Sequence, residues 1–390
     1  MPPAFTKAEY DARLAKVRAA MAERDLDALV IGDPNNHNWL TGYDAWSFYT
    51  PQIVVVRHDA DPVWIGRKMD AGAAWLSTHM TEDQVQPYPE DCVQKTGTHP
   101  MEVAAGYLRD MGLDGKRVGY ESDTYYFSHK AVESLMAGLP NATWIDADLL
   151  VNWCRTVKSD AEVAVMREAA GIASRVMQRA YDTIEPGLRQ CDLVAAILSE
   201  QVGGSMNVSG DLTSLPPLVL AGEAATTAHP MWTDAPFEAG QTVALELAGA
   251  HKRYNAGLAR TVQLGGGSDT LFDTAKAVEE GLEAVLATRR PGTTAHEVHR
   301  AWQDVLDQYG LTKDSRIGYG IGVGYGPDWG EHTISLRPHD ETILEPNMTI
   351  HVMLGMWMDD WGMEMSETTL VTPDGVECLT QFPRSVHVKG

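Results

Sequence analysis

Cysteine is scarce in this chain. The 390 residues hold four, Cys92, Cys154, Cys191 and Cys378, widely scattered and without a CxxC pair. That argues against a disulfide framework and reads as four reduced, mostly packed thiols. Basic residues are also few: 31 Lys and Arg stand against 54 Asp and Glu, a formal charge of −23, which argues against nucleic acid and anionic membranes as partners. No apolar run approaches the ~18 residues a membrane span requires. Met1 to Tyr10 leads at once into a charged amphipathic helix rather than a signal peptide, so the expectation is a soluble, cytoplasmic protein. The length suits two ordinary domains.

The most informative stretch is Gln241 to Gly265. Thr242 to Ala248 is β-branched and alternating, Ala250 to Ala256 is turn-like and polar, and Leu258 to Leu264 is a second apolar run; together they read as two strands and a turn. Alternation puts Ala244, Glu246 and Ala248 on one face and Val243, Leu245 and Leu247 on the other. A glutamate in so apolar a run is costly to bury unless it is paired, protonated or facing a cavity, and its small neighbours leave room for a ligand. The competing reading is an exposed edge-strand glutamate.

Upstream, Thr6 to Glu9 is a capping box, after which Tyr10, Leu14, Val17 and Met21 repeat at helical spacing. Strands are expected at 28–31, 52–57, 63–65, 117–120 and 143–145, with helices near 71–79, 102–111 and 128–138, an α/β alternation. Ser159 to Glu162 is a second capping box and opens a helix with an apolar face to Ile184. The later chain repeats itself: Pro186-Gly187 recurs as Pro291-Gly292, offset 105, and Glu238 to Val243 as Glu345 to Ile350, offset 107. Two similar halves leave such a trace. Residue 246 then corresponds to Met353, so His351 and Met353 should face the same cavity as Glu246.

The segment around Glu246, with Arg260-Thr261 beyond it, resembles the D-x-G and D-x-x-R-T motifs of the pita-bread enzymes: methionine aminopeptidase, prolidase, aminopeptidase P and creatinase. Asn36 to Tyr43 is similar to the N-x-x-Y-L-T-G-Y segment of prolidases and creatinase, and Arg155 to Ser159 to their R-x-x-K-S. The resemblance implies a small α/β creatinase/prolidase-type domain over 1–155 and a pita-bread domain with pseudo-two-fold α/β halves over 156–390. It also implies a homodimer in which Trp46 and Tyr49 of one subunit reach the other's site, although aromatics on such a loop are commonly core plugs.

The metallopeptidases of this family hold two metals with two aspartates, a histidine and two glutamates. Carried over, those positions fall on Glu246, Gly257, Tyr319, Met353 and Ser366. One carboxylate of five remains, too few for a divalent ion, and no metal or other cofactor is expected. His229, in Thr227 to Pro230, matches the acid/base histidine of creatinase, a role imidazole suits near neutral pH; its local sequence alone reads as structural. Arg337 resembles the creatinase arginine that binds substrate carboxylate; a surface ion pair with Asp340 or Glu341 is the plain alternative. His332 is a further candidate for substrate binding. Glu364, sharing one strand face with Ser366 and Thr368, either orients a cationic substrate or pairs with an arginine. His296 and His299 are three apart on a helix but read as solvated. Gly318 to Gly322 lacks the strand–turn–helix context of a dinucleotide motif.

A metal-free site with one inward glutamate, a histidine and an arginine suits an amidinium carbon, already electrophilic, better than a peptide carbonyl. Met353 and Ser366 depart from the creatinase pattern and make creatine a poor fit. The lost ligand set, together with Asn38 to Tyr43, is similar to the ectoine hydrolases of compatible-solute catabolism, which implies a cyclic amidine carboxylate as substrate. Three readings stand beside it: a metal-dependent Xaa-Pro peptidase, a creatinase-like amidinohydrolase and a non-catalytic binding protein.

Overall fold

The computed structural model describes residues 2–390. Two compact units divide the chain, one ending at Arg155 and one running from Thr156 to Gly390.

In the first unit, α1 (Lys7–Glu23) starts where the Thr6 side chain accepts from the Glu9 N–H, and it buries Tyr10, Leu14, Val17 and Met21. Then follow β1 (Ala28–Ile31), α2 (Pro34–Thr41), β2 (Ile53–Arg57), β3 (Val63–Arg67), α3 (Ala71–Ser77), β4 (Val85–Tyr88), α4 (Pro100–Asp110), β5 (Arg117–Tyr120), α5 (His129–Gly138), β6 (Thr143–Asp146) and α6 (Leu150–Thr156). The six strands form one mixed sheet in the order β4-β3-β2-β1-β5-β6. Three elements go beyond the sequence reading: α2, β4 and the short α6. Helix α2 is capped by Asp33 and closed by Gly42 in the left-handed region; at eight residues it is too short to display a helical period. Strand β4 carries a proline and alternates weakly. The four cysteines are free thiols, with Cys92 buried and the others partly so.

The second unit opens with α7 (Asp160–Thr183), whose Ser159–Glu162 capping box is formed. It continues through α8 (Gln190–Gly203), β7 (Leu218–Ala221), β8 (Thr242–His251), β9 (Tyr254–Leu264), α9 (Asp269–Thr288), α10 (Ala295–Tyr309), β10 (Gly318–Ile321), β11 (Gly330–Ser335), β12 (Thr349–Trp357), β13 (Gly362–Thr372), β14 (Gly375–Cys378) and β15 (His387–Lys389). Each half is a helix pair followed by a long hairpin: α7 and α8 with β8–β9, then α9 and α10 with β12–β13. Val243, Leu245 and Leu247 pack with the apolar faces of α7 and α8, while Ile350, Val352 and Leu354 pack with α9 and α10. Glu246, His351 and Met353 therefore sit on the opposite, inner face, as alternation requires. The turn between β8 and β9 is tighter than expected. Only Lys252 and Arg253 form it, both at positive φ, and the residues read as turn-like are strand on either side.

The sheets run β15-β9-β8-β7 and β11-β10-β12-β13-β14, and β15 is parallel to β9. The two are stitched where β9 meets β13. Thr368 Oγ1 donates to the Gly257 carbonyl at 2.9 Å, the Ala259 N–H donates to Ser366 Oγ at 2.6 Å, and Thr261 Oγ1 donates to the Glu364 carbonyl at 2.9 Å. Hydroxyl side chains thus do across this seam what backbone groups do within a sheet. Beside it, the buried Arg260 guanidinium pairs with Glu367 at 2.6 Å and donates to the Ser366, Phe382 and Pro383 carbonyls. Among the described residues no helix is long and apolar enough to cross a membrane.

Candidate active site

Strand β8 holds Glu246 opposite Ala259 of β9 and Leu218 of β7. The residue is 3% exposed, and its carboxyl makes no hydrogen bond with a described residue. Burial drives its pKa well above the ordinary carboxylate range, and the nearby charges of Glu364 and Asp328 drive it further. Glu364, on β13, is fully buried. Burial pushes its pKa up to about 7, against the pull of a Trp357 hydrogen bond and of Lys313. Trp357 Nε1 donates to Glu364 Oε1 at 2.9 Å, and Oε2 has no partner. Two buried acids thus lie within electrostatic reach of each other, and like charges so enclosed resist joint ionisation.

Next to them stands a neutral cluster centred on His351. Its Nε2 lies 2.7 Å from Ser366 Oγ and its Nδ1 3.2 Å from Tyr319 Oη. Trp329 Nε1 donates to the same Tyr319 oxygen at 2.9 Å. Burial, helped by the charge of Arg316, lowers the His351 pKa to about 3, and burial followed by the Glu246 charge raises the Tyr319 phenol well above its ordinary value. Both groups are neutral near pH 7.

The His351 ring fills the space a side chain at 257 would need: a Cβ built on Gly257 would lie 2.8 Å from Cε1 and 2.9 Å from Nε2. This contact tests the two-metal site that the resemblance implies. The residues do not fit one. Gly257 offers no donor, Met353 offers a thioether, and Tyr319 and Ser366 are engaged with His351. Among the described residues no three His, Cys, Asp or Glu side chains gather as a metal-binding group.

Two cations edge the site. The exposed Arg316 guanidinium lies 4.3 Å from the Tyr319 ring centroid, and the Lys313 ammonium lies 4.3 Å from that of Trp357. Burial lowers Lys313 to about 8. Residues 312–315 and 355–358 line a cavity of about 300 Å³ there. Asp328 accepts from His332 at 2.8 Å; burial alone would raise this carboxyl, but His332 and the Gly330 N–H hold it below its ordinary value.

The remaining expected residues lie apart from this network. His229 is exposed on the loop after the 3-10 turn Gly222–Thr226, and its ring has no hydrogen bond to a described residue. Arg337 is exposed just past β11, with no ion pair to Asp340 or Glu341. Trp46 and Tyr49 are 53% and 63% exposed rather than core plugs, and Tyr49 Oη accepts from Arg67 at 3.3 Å. The reading of His299 as solvated is corrected: it is one of the buried residues of α10, with Val298 and Trp302. His296 stacks on His339 with ring centroids 5.9 Å apart. Sequence reasoning missed Asp328, Trp329, Trp357, Lys313 and Arg316, and took Tyr319 and Ser366 only as losses.

Residues 164–373 match the model of metallopeptidase family M24, and residues 13–157 that of the creatinase/prolidase N-terminal domain. An ectoine hydrolase of Halomonas elongata is 43% identical, covering 99% of this chain and 98% of its own length. An uncharacterised hydrolase/peptidase of Sinorhizobium fredii is 40% identical over the same shares. Among solved structures, the dipeptidase PepE of Mycobacterium ulcerans superposes with a TM-score of 0.81 at 22% identity, covering 98% of this chain and 99% of that one. The Xaa-Pro dipeptidase of Bacillus anthracis does so with 0.80 at 20% identity, covering 97% and 100%; at such identities the likeness is one of fold, a small α/β domain followed in sequence by the two similar halves of the pita-bread plan. The chain is a hydrolase-type member of metallopeptidase family M24, with the N-terminal domain of the creatinases and prolidases.

Proposed function

We propose that this protein hydrolyses ectoine, opening its cyclic amidine to an N-acetylated 2,4-diaminobutyrate without a metal ion. The observation that carries the reading is the pair of buried acids, Glu246 and Glu364, on a cavity face whose former ligand positions are knit into the neutral His351 cluster. Lys313 and Arg316 stand only at its edge, and the two carboxyls remain driven up by burial, so the face favours a ligand that brings a cation; an amidinium lowers the cost of ionising both carboxyls. The name carried by the Halomonas relative supports the same substrate.

In this mechanism Glu246 takes a proton from water, or attacks the amidinium carbon directly. Glu364 and the rings of Trp329 and Trp357 hold the cation. Arg337 or the nearer Arg316 meets the substrate carboxylate as a guanidinium fork. His229 and His332 move protons at the rim. A homodimer in which the exposed Trp46 and Tyr49 of each copy cover the other copy's site completes the reading, and a cytoplasmic setting suits a catabolic substrate.

The test is proton NMR of ectoine incubated with protein stripped by EDTA and assayed for residual metal. Ring opening supports the substrate and the metal-free chemistry together. Turnover only after Mn²⁺, Co²⁺ or Zn²⁺ is restored would refute metal independence, and no turnover under either condition would refute the substrate.

A further inference from the structure

Counting hydrogens around His351 leaves one without a destination. Trp329 Nε1 and the Ala259 N–H can only donate, so each occupies a lone pair, one on Tyr319 Oη and one on Ser366 Oγ. The contacts from His351 to Tyr319 and to Ser366 hold one hydrogen each. Neutral imidazole, phenol and serine hydroxyl bring three hydrogens to those two contacts. If Nδ1 carries the ring hydrogen, Ser366 donates to Nε2 and the Tyr319 hydrogen is spare. If Nε2 carries it, Tyr319 donates to Nδ1 and the Ser366 hydrogen is spare. No described residue accepts either one. Tyr319 stands near enough to Glu246 to feel its charge, which puts a spare Tyr319 hydrogen in the neighbourhood of the proposed base.

We propose that Tyr319, His351 and Ser366 form a charge-free proton relay that serves the hydrolysis by reversing the His351 tautomer. The proposal rests on the ring-opening reading above. In that reaction the water oxygen bonds to the amidinium carbon while its proton passes to Glu246, giving a tetrahedral carbon that bears a hydroxyl and two nitrogens. The bond to one nitrogen then breaks, and that nitrogen takes the proton held by Glu246. The hydroxyl must also lose its proton as the amide carbonyl forms, and this second proton ends on the same nitrogen, making it an ammonium. Glu246 carries the first proton; the relay carries the second. Ser366 Oγ receives the hydroxyl proton as its own passes to Nε2, the Nδ1 hydrogen passes to Tyr319 Oη, and the Tyr319 hydrogen passes to the leaving nitrogen. Four bonds to hydrogen break and four form, and the reverse shift with water resets the tautomer. Burial that forbids a charged imidazole or phenolate permits this concerted route, because no relay group becomes an ion. The close approach of the ring to Gly257 fixes its plane toward both hydroxyls.

Wild-type activity on ectoine is established first, since its absence would end the ring-opening reading rather than the relay. In the active enzyme, kcat measured across H₂O–D₂O mixtures should give a bowl-shaped plot, because several hydrogens move together. His351→Gln can bond on both sides but cannot exchange tautomers. Its kcat should fall about 10²–10⁴-fold with KM nearly unchanged. Ser366→Ala should behave likewise and give a linear isotope plot, while Ser366→Thr should restore most of the rate. A linear plot in the wild type, or full kcat in His351→Gln, would overturn the relay. Should the variants not fold, the wild-type isotope plot decides alone.

Discussion

Replacing Glu364 by glutamine removes a fully buried carboxyl whose pKa burial has pushed up to about 7 from an ordinary 4.5, against the pull of Trp357 and Lys313. The folded state holds this proton more tightly than the unfolded chain does. The stabilisation is therefore complete below the unfolded value and is lost as pH rises through the folded one. Between pH 5 and pH 9 the loss amounts to about 2.5 kcal/mol for this one group. Glutamine keeps an oxygen for the Trp357 N–H and does not titrate, so the variant should lack that loss. Removing the like charge also lowers the pKa of Glu246, which flattens the profile further. The assay is urea unfolding of wild type and Glu364→Gln at closely spaced pH values, taking the difference between the two curves so that other titrating groups cancel. A difference that stays constant from pH 5 to pH 9, or grows in the opposite sense, would refute the picture of a buried acid held neutral.

Glu246→Gln should lower turnover by about 10³-fold or more while leaving the melting temperature unchanged or raised, since the lost carboxyl has no protein partner to strand; NMR of ectoine and calorimetry check the two halves of this statement. Because Glu246 must be ionised to activate water, the acid limb of kcat/KM should lie well above pH 4.5, and Glu364→Gln should shift it to lower pH. Gly257→Ala should destabilise the fold by about 1–3 kcal/mol in chemical denaturation, because its methyl meets the His351 ring at 2.8 Å. Arg260→Met leaves Glu367 buried with a weaker set of partners, and a loss of about 3–5 kcal/mol is expected in the same assay.

Much of the second unit could be read from alternation and repetition. The offset of 107 joined Glu246 to Met353, and the hairpins β8–β9 and β12–β13 do carry these residues, with His351, on one inner face. What alternation does not reveal is how far a side chain reaches across a seam. Gly257 and Ser366 looked like deletions because each was compared with the ligand its relatives carry. Their meaning lies in a ring from a third strand that occupies the vacated space. Lys313 and Arg316 were illegible for another reason: they lie on an irregular segment before β10, where neither period applies, and only the placement of Trp357 and Tyr319 gives their charges a direction. The brevity of α2 hid it from the helical period in the same way.

Strand β15 gives the first half-sheet its outer neighbour, with His387 to Lys389 alongside Val262 to Leu264, and Lys389 Nζ holds the Tyr181 carbonyl at the end of α7 at 2.7 Å. On the ribosome this edge of β9 stays open while the whole of the second half is made. The earlier half must wait, with a row of unsatisfied backbone groups, until synthesis has passed Lys389. Order of synthesis and order of completion therefore differ in this protein, and a pause late in translation prolongs the interval in which another chain's strand can take the place of β15.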